Sequence, residues 1–355
     1  MKKIRLLSRT WKFIRNGVAI CVTLGLISYL IFRLKPAKIL ESISKIEWWV
    51  LLLSFLIMIT MHLLKNVRWY FILRRLNIKI NFFETLRLLL IGSFGASITP
   101  AKVGDVIRAY YLAKWTETKE TTSLFSALLD NVIGVIGMGV FSIIALPFFV
   151  QQLEPITKWG IVGGSLIVVF AILVMFNDRI IRRIGTFLIK IRRKEREKTI
   201  DNHPNKREVE EDGIMRTIED YYSHLALFNK KDYLLILLIT FSFWFLLGVQ
   251  VSMFLCYMAG AQMSIQFILT VTGIMTLAAI VSLVPISLSG IGIRDATITV
   301  LVLYSLMINA EIAFSASLLQ TVINMLIPGS IGGLVLIYSR RKARSKKNKE
   351  DETVT

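Results

Sequence analysis

Cysteine, histidine and acidic residues are scarce in this chain, and each scarcity argues against a class of protein. Cys21 and Cys256, the two cysteines, stand singly in apolar runs without CxxC spacing, so no disulfide framework or zinc site is indicated. The three histidines form no HExxH motif, and the sequence has no P-loop and no GxSxG. We therefore expect no metal, no cofactor and no ATP-driven or hydrolytic chemistry.

Charge is also nearly absent from long stretches of the chain. Hydrophobic residues make up 54% of the sequence, and the mean hydropathy is +0.61. About 20 apolar residues are needed to cross a bilayer as a helix. The sequence therefore predicts an all-α integral membrane protein, one polytopic domain of residues 1–355. About six full spans are expected, at 17–32, 48–64, 124–150, 159–176, 233–258 and 313–338, with weaker or interrupted apolar segments at 82–98, 265–288 and 296–307.

Positive charge is the one kind that is plentiful, with a net charge of +19. Three basic blocks, at 2–15, 179–198 and 340–349, adjoin apolar runs. The positive-inside rule then places both termini, an amphipathic insertion at 177–232 and a basic tail at 339–355 in the cytoplasm, and 65–79 with them. Attraction to anionic lipid of the inner leaflet accounts for these blocks without nucleic acid. We expect a multi-pass protein of the cell membrane whose insertion is too small for a catalytic domain.

A short polar motif occurs twice, and each copy lies between weak apolar segments. The copies share a Pro, a Gly and an Arg close to an Asp; they comprise Pro100, Lys102, Gly104, Asp105 and Arg108, and then Pro285, Gly290, Gly292, Arg294 and Asp295. Ionisable residues inside a bilayer tend to mark a binding site, and paired Pro/Gly breaks point to a transport site. The topology predicts two re-entrant or broken helical elements in an inverted repeat, entering from opposite faces.

Other polar residues in apolar runs extend this candidate site. Asp105 and Arg108 fall one helical turn apart, and a helix beginning there favours an anion. Asp130 needs a partner within the membrane, for which Arg108 or Lys102 is the natural candidate. Gln320 either faces the same cavity or makes an interhelical hydrogen bond. Purely structural alternatives stay open for both motif copies. The first copy could be an interfacial loop whose Arg and Lys side chains reach the headgroups, and the second could be a structural Arg–Asp pair.

The order of these residues is similar to that of a known family. Asn66-x-Arg68-Trp69, Pro100-x3-Gly104-Asp105-x2-Arg108, Asp130-x3-Gly134 and Pro285 through Gly290-x-Gly292-x-Arg294-Asp295 resemble the flippase-like family, the transmembrane region shared with lysylphosphatidylglycerol synthases. The resemblance covers residues 10–340 and implies two re-entrant elements and the handling of lipid-linked substrates. Asp105 and Asp295 stand where the family often has Glu, and Asn131 and Thr321 stand where many relatives have Arg. The aminoacyl-transferase domain of bifunctional relatives is absent from this sequence, so we expect no lysyl transfer.

The motif that occurs twice predicts an ATP-independent flippase or translocase, with Arg108 and Arg294 on the headgroup phosphate. The resemblance implies its substrate class, an anionic phospholipid or a polyprenyl-phosphate-linked lipid. The alternative is an integral-membrane enzyme or an accessory subunit of lipid or glycolipid modification. The predicted substrate-binding residues are Asn66, Arg68, Lys102, Asp105, Arg108, Asp130, Ser287, Ser289, Arg294, Asp295 and Gln320. The predicted helix-break residues are Pro100, Gly104, Pro285, Gly290 and Gly292.

Overall fold

Helices joined by short turns make up the protein in the computed structural model, which describes residues 21–99, 103–149, 222–284 and 287–354 and the isolated positions 17, 163 and 219. No β-strand occurs among these residues. The helices are α1 (Cys21–Arg33), α2 (Pro36–Ser44), α3 (Trp48–Arg75), α4 (Phe82–Ser97), a 3-10 turn (Val103–Val106), α5 (Ile107–Thr116), α6 (Glu120–Phe149), α7 (Lys230–Ala259), α8 (Ile265–Val281), α9 (Ile293–Leu306), α10 (Ala310–Thr321), a π-helical turn (Val322–Leu326) and α11 (Ile327–Val354).

Four of these helical segments are long and apolar enough to cross a membrane. They are α3, α6, α7 and the continuous segment Ala310–Ser339, while α1 and α8 are apolar but shorter. Their outer surfaces carry exposed Leu, Ile and Phe side chains, as hydrocarbon requires. The chain is therefore an all-helical, multi-pass membrane protein. The predicted span at 159–176 and most of the insertion at 177–232 lie outside the described residues.

Helix α3 is longer than the hydropathy pattern predicts. The predicted span ends at residue 64, but the helix runs for 28 residues to Arg75. The helix therefore continues through residues 65–75, the first part of the stretch that the sequence predicts to be cytoplasmic. Asn66, Arg68 and Trp69 are buried, and each donates a hydrogen bond to another helix, a contact that hydropathy averaged along the chain does not detect.

Two helical hairpins lie among the long helices. In the first, α4 packs against the 3-10 turn and α5, and the described residues of the tip are 98–99 and 103–106. In the second, α8 packs against α9, and the described residues of the tip are 282–284 and 287–292. An Asn81–Glu84 capping box begins α4, and the Ser264 side chain caps α8.

The two hairpins have their bases at opposite ends of the helical bundle. The base of the first follows the end of α3. There Arg75 pairs with Asp232 at 2.5 Å, so the end of α3 lies beside the beginning of α7. The base of the second follows the other end of α7. This helix has 30 residues, so its two ends are about 45 Å apart. The tips nevertheless meet, because the Ser289 N–H donates to the Thr99 carbonyl oxygen at 3.1 Å.

Two apolar cores surround the hairpins. One includes Met61, Phe141 and Trp244, and the other includes Trp69 and Ile133. Along α3, the polar residues Lys65, Asn66 and Arg68 lie between the members of the two cores. The buried charges therefore occupy the middle of the bundle.

Candidate functional site

Asp130 is the centre of a buried charge cluster beside the first hairpin. Its Oδ1 accepts from Arg68 Nε at 2.7 Å, and its Oδ2 accepts from Arg108 Nη2 at 2.8 Å. The side chains of Asp130 and Arg108 are fully buried, and that of Arg68 is 7% exposed. Arg68 also donates to Thr240 on α7 at 3.0 Å. The predicted pairing of Asp130 with Arg108 is confirmed, and Arg68 is a second partner.

Arg108 is held from three sides. Asp105, one turn earlier, lies 3.2 Å from Nη2, as the spacing predicts, and the guanidinium lies over the Trp69 ring at 4.4 Å from its centroid. Among the described residues, Arg108 Nε and Nη1 have no hydrogen-bond partner. The Arg108 charge therefore lies against two carboxylates, Asp105 and Asp130, and the face of one aromatic ring.

Lys65 is a member of this cluster that the sequence prediction missed. Its Nζ lies 3.9 Å from Asp105 Oδ2, and its side chain is 26% exposed, which is more than any other charge in the cluster. The cluster therefore has three basic side chains and two carboxylates. A surplus positive charge inside a membrane protein favours an anion as the missing partner.

A second polar cluster surrounds Asp295 at the beginning of α9. Its Oδ2 accepts from the Gly292 N–H at 2.9 Å, and its Oδ1 accepts from the hydroxyls of Ser317 at 2.5 Å and Thr321 at 3.2 Å. Arg294 donates to Thr321 and lies 3.5 Å from Asp295. Asp295 therefore caps a helix and ties the second hairpin to α10.

The two hairpin tips depend on glycine for different reasons. In the first, Gly104 and Gly95 face each other so closely that a Cβ on Gly104 would lie 2.1 Å from the Gly95 carbonyl oxygen. In the second, φ is positive at Ser289 (52°), Gly290 (79°) and Gly292 (86°), a region that favours glycine. The non-glycine Ser289 in this region is a strained position of the kind that gathers at functional sites.

Two adjacent cavities lie where the hairpins meet. The first has about 230 Å³ and is lined by Arg68, Asp105, Asp130 and apolar residues that include Met138 and Leu283. The second has about 160 Å³ and is lined by His62, Ser289, Arg294, Gln320, Asn324 and others. Both are lined by the same four residues, Lys65, Ala96, Phe243 and Trp244. Lys65 is thus the charged side chain that the two cavities share.

Six predicted site residues line these cavities: Arg68, Asp105, Asp130, Ser289, Arg294 and Gln320. Arg108 and Asp295 lie behind them, Ser287 is buried but lines neither cavity, and Asn66 donates to the Phe82 carbonyl oxygen at 3.1 Å. Pro100, Lys102 and Pro285 lie outside the described residues.

Lys65, His62 and Asn324 line the cavities but were not predicted as site residues. Only their position on the same helix faces as Arg68 and Gln320 would indicate that they line a cavity. Within the described ranges, no group of three or more His, Cys, Asp or Glu could hold a metal ion.

The motifs that resemble one family lie close together in the structure. A comparison of the sequence with family models tests this resemblance. Residues 17–332 match the model of the lysylphosphatidylglycerol synthase TM region. The chain belongs to this family. It is 23% identical to the UPF0104 membrane protein MJ1595 of Methanocaldococcus jannaschii. It is also 23% identical to the UPF0104 membrane protein PH1989 of Pyrococcus horikoshii. The first match covers 88% of this chain and 91% of the relative, and the second covers 82% and 87%.

Proposed function

We propose that this protein is an ATP-independent translocase for a lipid with an anionic headgroup, a phospholipid or a polyprenyl-phosphate-linked lipid, in the cell membrane with both termini cytoplasmic. In this proposal six helices span the membrane, and the two hairpins are re-entrant elements of an inverted repeat. The observation that carries it is the meeting of the hairpin tips, through Ser289 and Thr99, beside two cavities that share Lys65. A midplane site between two such elements suits exposure to each side in turn.

The charges around the cavities fit a single phosphate. Most of the buried charge is already neutralised within the protein, because Asp130 accepts from two arginines and Asp105 lies near Lys65 and Arg108. The surplus charge is on Lys65, the most exposed member. An incoming phosphate therefore gains a partner without breaking the pairs whose loss would leave buried charges uncompensated.

The apolar parts of the lining fit the start of a lipid chain. Phe243 and Trp244 line both cavities, and Val135, Met138 and Ile239 line the first. In our proposal Lys65 and Arg68 contact the phosphate in the first cavity, and Lys65 and Arg294 contact it in the second. Arg108 and the three aspartates orient these groups, so Arg108 acts through the acids rather than on the headgroup.

Lipid movement in proteoliposomes tests the proposal directly. With a fluorescent phosphatidylglycerol and no ATP, the wild type should move lipid between leaflets. Lys65→Gln and Arg294→Gln should each slow this movement about tenfold or more, since a hydrogen bond to a charged group contributes about 1.5–3 kcal/mol. Lys45→Gln is a matched control, because Lys45 is exposed and pairs only with its helical neighbour Glu41 among the described residues.

Two results would overturn the proposal. Lipid movement by both variants at the wild-type rate would show that the shared cavity is not the path. No movement by the wild type, together with intact cellular function of both variants, would favour the accessory role instead.

A further inference from the structure

The last described membrane span changes its packing partners part-way along its length. It runs continuously over Ala310–Ser339, but it consists of α10, the π-helical turn and the first part of α11. Helix α10 packs against α9 of the second hairpin, as well as against α2 and α7, whereas α11 packs against α4 of the first hairpin. Each half of one span is therefore attached to a different hairpin.

Polar contacts attach the first half to the second hairpin. Asp295, at the beginning of α9, accepts from the hydroxyls of Ser317 and Thr321 on α10 at 2.5 and 3.2 Å. Arg294 donates to Thr321 as well. All four side chains are at most 5% exposed. Because hydrogen bonds to an ionised group are among the stronger ones, α9 and α10 should move together.

Close backbone packing attaches the second half to the first hairpin. A Cβ on Gly332 of α11 would overlap the Leu90 carbonyl oxygen of α4, and a Cβ on Gly329 would lie 2.9 Å from Ser97 Oγ. Small residues let two membrane helices approach as closely as this. Packing at such a distance leaves little freedom for one helix against the other, so α4 and α11 should also move together.

The π-helical turn between the two halves is a weak point of the span. In it the Ile327 N–H donates to the Val322 carbonyl oxygen, five residues back instead of four. Pro328 follows and has no N–H for the Asn324 carbonyl oxygen, so a regular helical hydrogen bond is missing there. Sharp helix bends occur at such turns and at proline. The span can therefore bend here more easily than within α10 or α11.

The turn itself is fixed to two long helices. Asn324 Nδ2 donates to Gln250 Oε1 on α7 at 2.6 Å, and Gln250 Nε2 donates to the Ser54 carbonyl oxygen on α3 at 2.9 Å. Both α3 and α7 contribute residues to the two cavities. The turn is thus held in place, while the halves on either side of it belong to different hairpins.

The second cavity lies between the two hairpins and beside the turn. Its lining includes Ser93 and Ser97 of the first hairpin, Ser289 and Arg294 of the second, and Asn324 of the turn. We propose that the π-helical turn with Pro328 is a hinge about which the two hairpins separate, each with its own half of the span, so that this cavity opens. The inference rests on the proposed function and names the element that moves in it.

A distance between two spin labels measures the hinge in the whole protein. The labels replace Met307, just before α10, and Leu334 on α11, which are 77% and 68% exposed, in a protein otherwise free of cysteine. Helix α10 has 12 residues and is about 18 Å long, so a bend of about 20° moves its far end by about 6 Å. Double electron–electron resonance in phosphatidylcholine nanodiscs should give two distances that differ by about this amount. Adding phosphatidylglycerol should change their populations.

Variants assign the second distance to the hinge. Pro328→Ala returns one backbone N–H to the span and should therefore lower the population of the bent state, and the rate of lipid movement with it, about fivefold or more. Pro328→Val returns the same N–H, keeps more of the buried volume and serves if Pro328→Ala does not fold. Pro147→Ala is the matched control, because it makes the same change at an exposed position within α6, and it should keep both populations.

A second label pair tests whether the first hairpin and α11 move as one. Ile98→Cys and Tyr338→Cys place exposed labels on these two elements, and they should give one distance in every protein. Two distances for this pair would overturn the hinge. So would a single distance for the first pair in both lipid compositions, or wild-type populations in the Pro328 variants.

The hinge and the proposed function fail in different ways. A wild type that shows both distances but moves no lipid would contradict the proposed function and leave the hinge in place. Lipid movement by a wild type with a single distance would overturn the hinge and leave the proposed function in place.

Discussion

Asp130→Asn removes a carboxylate that two buried arginines share, and we expect it to be strongly destabilising. Arg68 and Arg108 donate to its two oxygens at 2.7 and 2.8 Å, and none of the three side chains is more than 7% exposed. An asparagine can accept from one guanidinium, but its NH2 then faces the other, so a donor opposes a donor. Removing one partner of a buried ion pair costs about 3–5 kcal/mol. The free energy of unfolding in mixed micelles should fall by this amount.

A second substitution separates lost charge balance from lost packing. Arg108→Met in the Asp130→Asn protein restores the original surplus of one positive charge, and methionine keeps an apolar contact with the Trp69 ring. The double variant should therefore be less destabilised than the sum of the two single variants, by about 1 kcal/mol or more. Lys45→Met is the control, because Lys45 and its partner Glu41 are both at least 50% exposed, and its loss should cost about 1 kcal/mol at most. Additive effects of Asp130→Asn and Arg108→Met, within about 0.5 kcal/mol, would refute the shared-charge argument.

Three further predictions test the hairpins. Gly104→Ala should cost about 1–3 kcal/mol of unfolding free energy, because its Cβ would lie 2.1 Å from the Gly95 carbonyl oxygen. Thr99→Cys with Ser289→Cys, in a protein otherwise free of cysteine, should form a disulfide on mild oxidation, measured by free-thiol labelling, since the two backbones are one hydrogen bond apart. Asp295→Ala should lower the thermal unfolding temperature through a loss of about 1–2 kcal/mol, because α9 loses its cap.

Each of these predictions has a matched control. The Cβ of Gly134→Ala would lie 3.9 Å from its nearest neighbour, so this variant should be neutral or stabilising. A loss in Gly134→Ala as large as that in Gly104→Ala would show that the close approach is not the cause. Thr99→Cys with Ser44→Cys should give no disulfide, and a disulfide as abundant as in the first pair would contradict the tip contact. Asp295→Asn keeps an acceptor for the Gly292 N–H, so a loss as large as that of Asp295→Ala would count against the capping role.

The broad class of this protein could be predicted from its sequence because hydropathy is a local property. Runs of apolar residues predict membrane helices wherever they occur, and α3, α6, α7 and the segment Ala310–Ser339 match four of the predicted spans. The Pro/Gly breaks are equally local, since a residue without an N–H, or one suited to positive φ, disturbs a helix in any context. The pairing of Asp130 with Arg108 was predictable for a related reason, because few partners were available within the apolar sequence.

The motif that occurs twice identified the hairpin tips, but only the tertiary structure shows that Ser289 and Thr99 join them and that Lys65 lies between their cavities. The Ser289–Thr99 bond links residues 190 positions apart, and Arg68 reaches Thr240 across 172 positions. Hydropathy averaged along α3 places Lys65 in a polar flank, because the average carries no record of the opposing helices. Whether a charged residue ends a span or lines a site is decided by the side chains that surround it, and the fold alone brings those together.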